Sequence, residues 1–251
     1  GRPGPVNLDV PLNLFVEQAD AEIPEPAQWR WGINSRAQGN LESVIKAFNL
    51  LIEADKPLII AGNGVILSEA SNELKKLSKH LNTPVATTPN GAGSLDGREE
   101  LSLGVIGRNG TYAANQAARN CDVLLALGVK FCDRFTGCWI PGFSFNIPPT
   151  KLIHVDIDPD ELGRNYPPTV GILGDAKSVL KQLMDLIKNR GLSPRGKETK
   201  WLKQIKEWKA KWDQVNKLNR VSEAVPIRPE RAVRDMRDVI PDDALVLPDV
   251  G

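Results

Sequence analysis

Two histidines, three cysteines and a 6% aromatic content leave this sequence of 251 residues short of the side chains that build most metal and nucleophilic centres. Cys121, Cys132 and Cys138 are odd in number and show no CxxC spacing, which excludes a disulfide framework and a zinc ribbon; reduced thiols in a cytoplasmic protein are expected. No apolar run approaches the roughly 18 residues of a membrane span. No basic stretch followed by an apolar core opens the chain, so no secretory leader is expected. A net charge of +1 gives no bulk electrostatic case for nucleic acid or an anionic membrane. What remains, with 41% hydrophobic and 25% charged residues, is ordinary globular material, long enough for one large core or two modest ones.

The most informative stretch is KPLIIAGNGVIL, Lys56 to Leu67. A short apolar run bounded by turn residues reads as a strand buried on both faces, as in the first strand of a parallel sheet. It runs into Gly62-Asn63-Gly64. Glycines there let the backbone turn tightly and approach a ligand at the start of the next helix, where free N–H groups favour a phosphate. The helical pattern from Ser68 to Leu81 follows.

Around this turn the chain alternates strands and helices. Val6 to Val10 alternates as a strand, and residues 12 to 37 read as a linker carrying Trp29 and Trp31 over an apolar patch. A helix is expected over Leu41–Ala54 with Asn40 as N-cap. Strands are expected at Thr83–Thr88, Leu103–Ile106, Cys121–Gly128, Leu152–Asp158 and Val170–Asp175, and helices at Thr111–Arg119 and Ala176–Asn189. The segment 129–149 reads as irregular and aromatic. This order implies βαβ units and a parallel, Rossmann-like α/β sheet with helices on both faces. Residues 38–190 form that domain; 1–37 precede it as the end of another domain plus linker; 191–226 are a helical linker, and 227–251 open a further α/β domain. In the linker Trp201, Ile205, Trp208, Trp212, Val215 and Leu218 share one face and are expected to pack on the protein. In the last segment a helix over Glu230–Asp238 and a strand over Leu245–Leu247 are expected. The abrupt ends suggest an internal piece of a longer polypeptide.

Candidate chemistry collects at the carboxyl ends of the strands, where open parallel sheets bind ligands. These outlets carry Gly62, Asn63 and Gly64; Thr87 and Thr88; Gly107, Arg108, Asn109 and Gly110; Gly128 and Arg134; Asp156 and Ile157; Gly174 and Asp175. Arg134 could hold a diphosphate bidentately or pair with Asp133. Asp158 and Asp175 could also serve only as N-caps. The turn is G-x-G-x-x-L rather than the full dinucleotide fingerprint, and the next strand ends Ala86-Thr87-Thr88 without the acid that holds an NAD ribose. An NAD-dependent oxidoreductase domain is therefore disfavoured; a freestanding nucleotide-binding or interaction module stays open. His80 and His154 have no nucleophile or acid at readable spacing and read as structural. Asp156, Asp158, Asp160 and Glu161 make a poor metal set, because successive strand residues point to opposite faces.

Taken together, GRPGPVNLDVP, KPLIIAGNGV, TPVATTPNGAGSLD, LGVIGRNGTYAANQA, CDVLLALGVKFCDRFTG, KLIHVDIDPDELGRN and VGILGDAKSVL resemble the thiamine-diphosphate enzymes of the acetolactate synthase group. The resemblance covers nearly the whole chain in order. It implies a parent with pyrimidine-binding, central and diphosphate-binding domains, acting on 2-keto acids with thiamine diphosphate and magnesium, and assembled as a homodimer or tetramer. GRPGPV would end the first domain, residues 38–190 would be the central one, and Pro248-Asp249-Val250-Gly251 would begin the third. It further implies that the rim residues named above hold FAD or ADP in a structural role. Two positions depart from the family's pattern: Cys132-Asp133-Arg134 replaces an acid-acid-arginine run, and Asn109 replaces a histidine. The activating glutamate and the GDG motif are absent from the sequence, so no catalytic residue is expected in it and no turnover by it alone.

Overall fold

The computed structural model describes residues 4–26, 35–196 and 198–247. Trp29, Trp31 and the Pro248–Gly251 motif lie outside the described residues.

The sheet grows from β1 (Pro57–Ala61), whose five residues PLIIA are all buried. A run that is apolar at every position cannot leave either face in water, so it takes the centre of a two-sided sheet. β1 pairs in parallel with β2 (Val85–Thr87) on one side and β4 (Val123–Leu127) on the other. β3 (Ser102–Val105), β5 (Lys151–Asp156) and β6 (Val170–Leu173) complete six strands in the order β3-β2-β1-β4-β5-β6, every pairing parallel. The order reverses direction between β1 and β4, and at such a switch point the loops leave to opposite sides and open a crevice beyond the strand ends.

The two faces are covered separately. Ile59, Ala61, Leu125, Leu127, Ile153 and Val155 share one core cluster with α1 (Leu41–Glu53), α3 (Ser71–Leu81) and α6 (Ala176–Asn189). Leu58, Ile60, Leu124, Ala126 and Leu152, one residue out of phase, are equally buried but belong to the opposite face. There α4 (Tyr112–Asn120), in the β3–β4 crossover, buries Ala113, Ala114, Ala117 and Ala118, small side chains that let a helix lie close to the strands. Helices thus cover both faces.

Caps set the helix starts. The side chains of Asn40, Thr111 and Asp175 each accept a backbone N–H from three residues on, and α1, α4 and α6 begin directly after them. α6 has the bounds read from the sequence. Elsewhere the structure corrects the expectations. Behind the glycine turn the chain makes one short helix, α2 (Asn63–Leu67), and then breaks at Glu69, in the left-handed region with φ 54°, before α3 begins. Segment 129–149 holds a one-turn helix, α5 (Asp133–Thr136), closed by Gly137 at φ 67°. Val6 to Val10 and Leu245 to Leu247 are not strands: alternation makes a strand only where a neighbour supplies a hydrogen-bonded ladder, and none of the described residues does so.

The chain divides into two compact units, Gly1–Lys197 and Glu198–Gly251. In the second, α7 (Lys200–Arg220) starts from the Thr199 cap and α8 (Pro229–Val239) from a proline in its first turn. The expected stripe on α7 is only partly buried. Trp201 and Ile205 are enclosed, Trp208 sets its ring edge-on to Trp201 at 5.6 Å, and Val215 and Leu218 are exposed.

Candidate functional site

A cleft of about 1480 Å³ opens beyond the carboxyl edge of the sheet. All six strand outlets contribute to it. Asn63 and Gly64 follow β1, Thr88 follows β2, Val105, Ile106, Arg108 and Asn109 end β3 and its loop, Gly128 follows β4, Asp156 and Ile157 end β5, and Gly174 and Asp175 follow β6. Of the fifteen candidate residues from the sequence, these outlets and Arg134 on α5 bring eleven to the cleft wall.

The remaining four, Gly62, Thr87, Gly107 and Gly110, lie behind the wall. Thr87 is buried inside β2, and a side chain on Gly62 would overlap the carbonyl of Gly128. On Gly107, which has φ 105°, a Cβ would meet the Cα of Phe135 at 2.7 Å. On Gly110 it would meet the Ile106 carbonyl carbon at 2.7 Å. These glycines let backbone pack on backbone beneath the cleft.

The same is true at the turn itself. A Cβ on Gly64 would lie 2.7 Å from the Cα of Gly128, which sits in the left-handed region at φ 57°. The outlets of β1 and β4 therefore touch directly. Their N–H groups are already engaged: Gly62 donates to Leu127 O at 2.9 Å, Gly64 to Gly128 O at 3.3 Å and Val65 to Gly62 O at 3.1 Å. The turn makes the cleft floor narrow, and offers few backbone donors of its own to a phosphate.

Positive charge comes instead from side chains. Arg108 and Arg134 are exposed on the wall and make no ion pair or hydrogen bond among the described residues. The alternative pairing of Arg134 with Asp133 does not form. Lys130 is engaged, bonding Glu161 at 3.0 Å, and Arg164 reaches the same carboxylate at 3.4 Å. Two guanidiniums lining one cleft, without partners among the described residues, suit a ligand with phosphate oxygens.

Negative charge on the wall is held in place. Asp156 is buried; its Oδ1 accepts the Asp158 N–H at 2.9 Å, and burial raises its carboxyl above the usual carboxylate range. Asp158 caps the 3-10 turn Pro159–Glu161, and Asp175 caps α6 through Ser178 N at 3.1 Å. The capping reading thus holds for both, and Asp175 also lines the cleft. Among the described residues no group of three or more His, Cys, Asp or Glu side chains is placed to hold a metal ion.

Phe135, which lines the cleft, stacks at 6.2 Å on Phe131, the centre of an aromatic cluster outside the lining. Phe131 meets Phe145 and Tyr166 edge-on at 5.5 and 5.2 Å, and meets His154 at 5.2 Å. Its carbonyl accepts from Trp139 Nε1 at 2.7 Å and Asn165 Nδ2 at 2.8 Å, fixing the loop that carries Cys132, Asp133 and Arg134. His154 is buried and bonds Val129 O through Nε2 at 3.0 Å, a structural role. His80 likewise bonds Leu192 O at 3.1 Å.

Four contributors were not among the candidates from the sequence. Asn115 clamps the Gly107 peptide from both sides, accepting from its N–H at 2.9 Å and donating to its carbonyl at 3.0 Å. An asparagine inside a helix gives no such signal. Cys132 and Cys138 line the cleft from the two ends of α5. Arg36, in the stretch read as linker, bonds Asp175 and Ser68 at the cleft's edge.

Residues 44–183 match the family model of the thiamine pyrophosphate enzyme, central domain. The chain belongs to the thiamine pyrophosphate enzymes. It is 38% identical over 259 residues to a probable acetolactate synthase large subunit of Methanocaldococcus jannaschii, a match covering all of this chain and 42% of that relative. The acetolactate synthase large subunit of Haemophilus influenzae is 33% identical over 253 residues, again across the whole chain and 43% of the relative. The probable large subunit of Methanococcus aeolicus is 37% identical over 267 residues, with 43% of it covered. The chain thus spans about two-fifths of the length of these curated relatives. The parallel sheet of the central domain is the fold the resemblance implied, and a separate oxidoreductase domain is not favoured. No helix among the described residues is long and apolar enough to cross a membrane.

Proposed function

We propose that this chain is the central part of a cytoplasmic, thiamine-diphosphate-dependent carboligase of the acetolactate synthase kind, acting on 2-keto acids as a homodimer or tetramer. The relatives' names support the reaction class, and three free cysteines suit a reducing compartment. When bound with magnesium by other parts of the enzyme, thiamine diphosphate supplies the electron sink for decarboxylating one 2-keto acid and joining the remainder to a second carbonyl. This chain's own part is structural: it carries the cleft, and we assign to the cleft an adenine nucleotide, FAD or ADP.

The observation that carries this assignment is the convergence of all six strand outlets on one cleft with two unpaired arginines. The residues fit such a group. Gly64, Gly128 and Gly174 let the strand outlets pack closely against neighbouring backbone at the cleft, Arg108 and Arg134 supply cationic forks for the oxygens of a diphosphate, and Asp156 supplies an acceptor for ribose hydroxyls. A volume of about 1480 Å³ exceeds the few hundred to a thousand Å³ of ordinary ligand pockets, so an extended dinucleotide has room.

Calorimetric titration of the chain with FAD, ADP and NAD tests the assignment, with flavin fluorescence as a second signal. FAD or ADP should bind, NAD more weakly. Arg134→Ala should lower the affinity about tenfold, as expected for loss of one charge-assisted contact. Absence of binding by both adenine ligands removes the assignment, and unchanged affinity in R134A removes that arginine from the site.

A further inference from the structure

Asp175 raises an electrostatic difficulty. Its side chain is only 8% exposed, it lines the cleft, and its charge would repel the phosphates of a nucleotide. One oxygen is committed to the α6 cap, Oδ1 accepting from Ser178 N at 3.1 Å. The other faces Arg36, whose Nη1 lies 3.1 Å from Oδ2. The same nitrogen donates to Ser68 O at 2.7 Å, and Nη2 stands 3.6 Å from Glu69 Oε2. Ser68 lines the cleft as well. One guanidinium therefore neutralises a wall carboxylate and ties the turn after α2 to the start of α6.

The backbone around Arg36 is held independently of its side chain. Asp175 N donates to Ala37 O at 2.9 Å. The Gln182 amide accepts from Gly39 N at 2.9 Å and donates to Gly39 O at 3.0 Å. Removing the charge of Arg36 should therefore not release the segment.

We infer that Arg36 is a positioning residue for the cleft: it cancels the charge of Asp175 and pins two lips together, making that end of the cleft receptive to an anionic ligand. The inference rests on reading the cleft as a nucleotide site. It extends that site to a residue outside the strand outlets, on the stretch that leads into the domain.

The test is ADP calorimetry on the full 251-residue chain, comparing wild type with R36Q, D175N and R36Q/D175N at low and moderate salt. R36Q keeps a donor for Ser68 but loses the charge. It should weaken ADP about tenfold, because it leaves a buried carboxylate uncompensated beside the phosphates. Asn can still cap α6, and D175N leaves the Arg36 charge uncancelled at the cleft edge, so D175N alone should bind ADP severalfold more tightly than wild type. Adding D175N to R36Q should bring affinity back to within about twofold of wild type, since no charge then needs cancelling. A role in packing alone would not be rescued by a second substitution. ADP affinity unchanged in R36Q, or a double variant as weak as R36Q, overturns the inference. Wild type that binds no ADP overturns the nucleotide reading itself, and the role of Arg36 falls with it. Should R36Q not fold, R36K keeps the charge: affinity within about threefold of wild type supports the charge role, and a larger loss overturns it.

Discussion

Cys121, Cys132 and Cys138 occupy two kinds of environment, and their chemistry should separate accordingly. Cys121 is buried, and burial pushes its thiol up to about 12. Cys132 and Cys138 are exposed on the cleft wall. The thiolate is the reacting form, so an aromatic disulfide reagent should titrate two thiols in the native protein and the third only on unfolding. Saturating ADP should slow both reactive thiols; rates indifferent to ADP would place the ligand elsewhere. His154 makes a second test at this scale. Burial lowers its pKa from the ordinary 6.5, against the opposing pull of the nearby Asp156 charge. In that window the unfolded chain binds more protons than the folded one, so His154 favours folding above about pH 6.5 and less as pH falls toward its folded value. Asp156 works oppositely: its raised pKa favours folding in acid and less as pH rises. Thermal unfolding should therefore show a fall in Tm below about pH 6.5 that His154→Gln flattens, while lowering Tm at neutral pH by removing a buried bond worth about 1 kcal/mol. A pH profile unchanged by that substitution would remove His154 as its source. Residues of this kind show how far sequence reaches. The rim glycines, threonines and aspartates were visible because turn chemistry and strand ends mark them. Arg36 and Asn115 were not, because each acts on a site distant in sequence or through a helix interior, where its neighbours give no pattern.

At the scale of elements, the contact between the β1 and β4 outlets is the most constrained feature. Gly64→Ala would bring a methyl to 2.7 Å from the Cα of Gly128, and backbone, unlike a flexible side chain, cannot step aside. The expected cost is about 2 kcal/mol or more in urea unfolding, with weaker ADP binding, because the strands must separate or the turn must tilt. Wild-type stability in Gly64→Ala would mean the two outlets do not touch. Elements with a local cause were the legible ones. α6 has the bounds of its sequence pattern because Asp175 supplies a cap and an apolar stripe follows it. β1 and β4 were plain because they are apolar at every position. Elements whose form depends on partners were not legible. Val6–Val10 alternates without a ladder to join, and the pattern behind the glycine turn concealed the left-handed break at Glu69, since a single residue leaves helical periodicity intact on either side.

At the scale of the molecule, the two compact units should differ in stability and in response to ligand. The first rests on a sheet buried on both faces; in the second, α8 buries no residue and Val215, Leu218, Val233 and Val239 are exposed. Amide exchange reports the free energy of local opening, which falls with buried apolar contact. Exchange should therefore be slowest in β1, β4 and β5 and faster by orders of magnitude in α8. A ligand that binds only the folded cleft stabilises it by RT ln(1 + [L]/Kd), about 2.7 kcal/mol at a hundredfold excess over Kd. ADP at that excess should slow exchange by up to about a hundredfold at the strand outlets, around Gly64, Gly128 and Gly174, and through the core they share, while leaving α8 unchanged. Glycines let the outlets converge, convergence makes one cleft, and only the unit that owns the cleft should feel its occupant. Protection spread evenly over both units, or confined to the second, would break that chain at its last link and move the nucleotide away from the sheet.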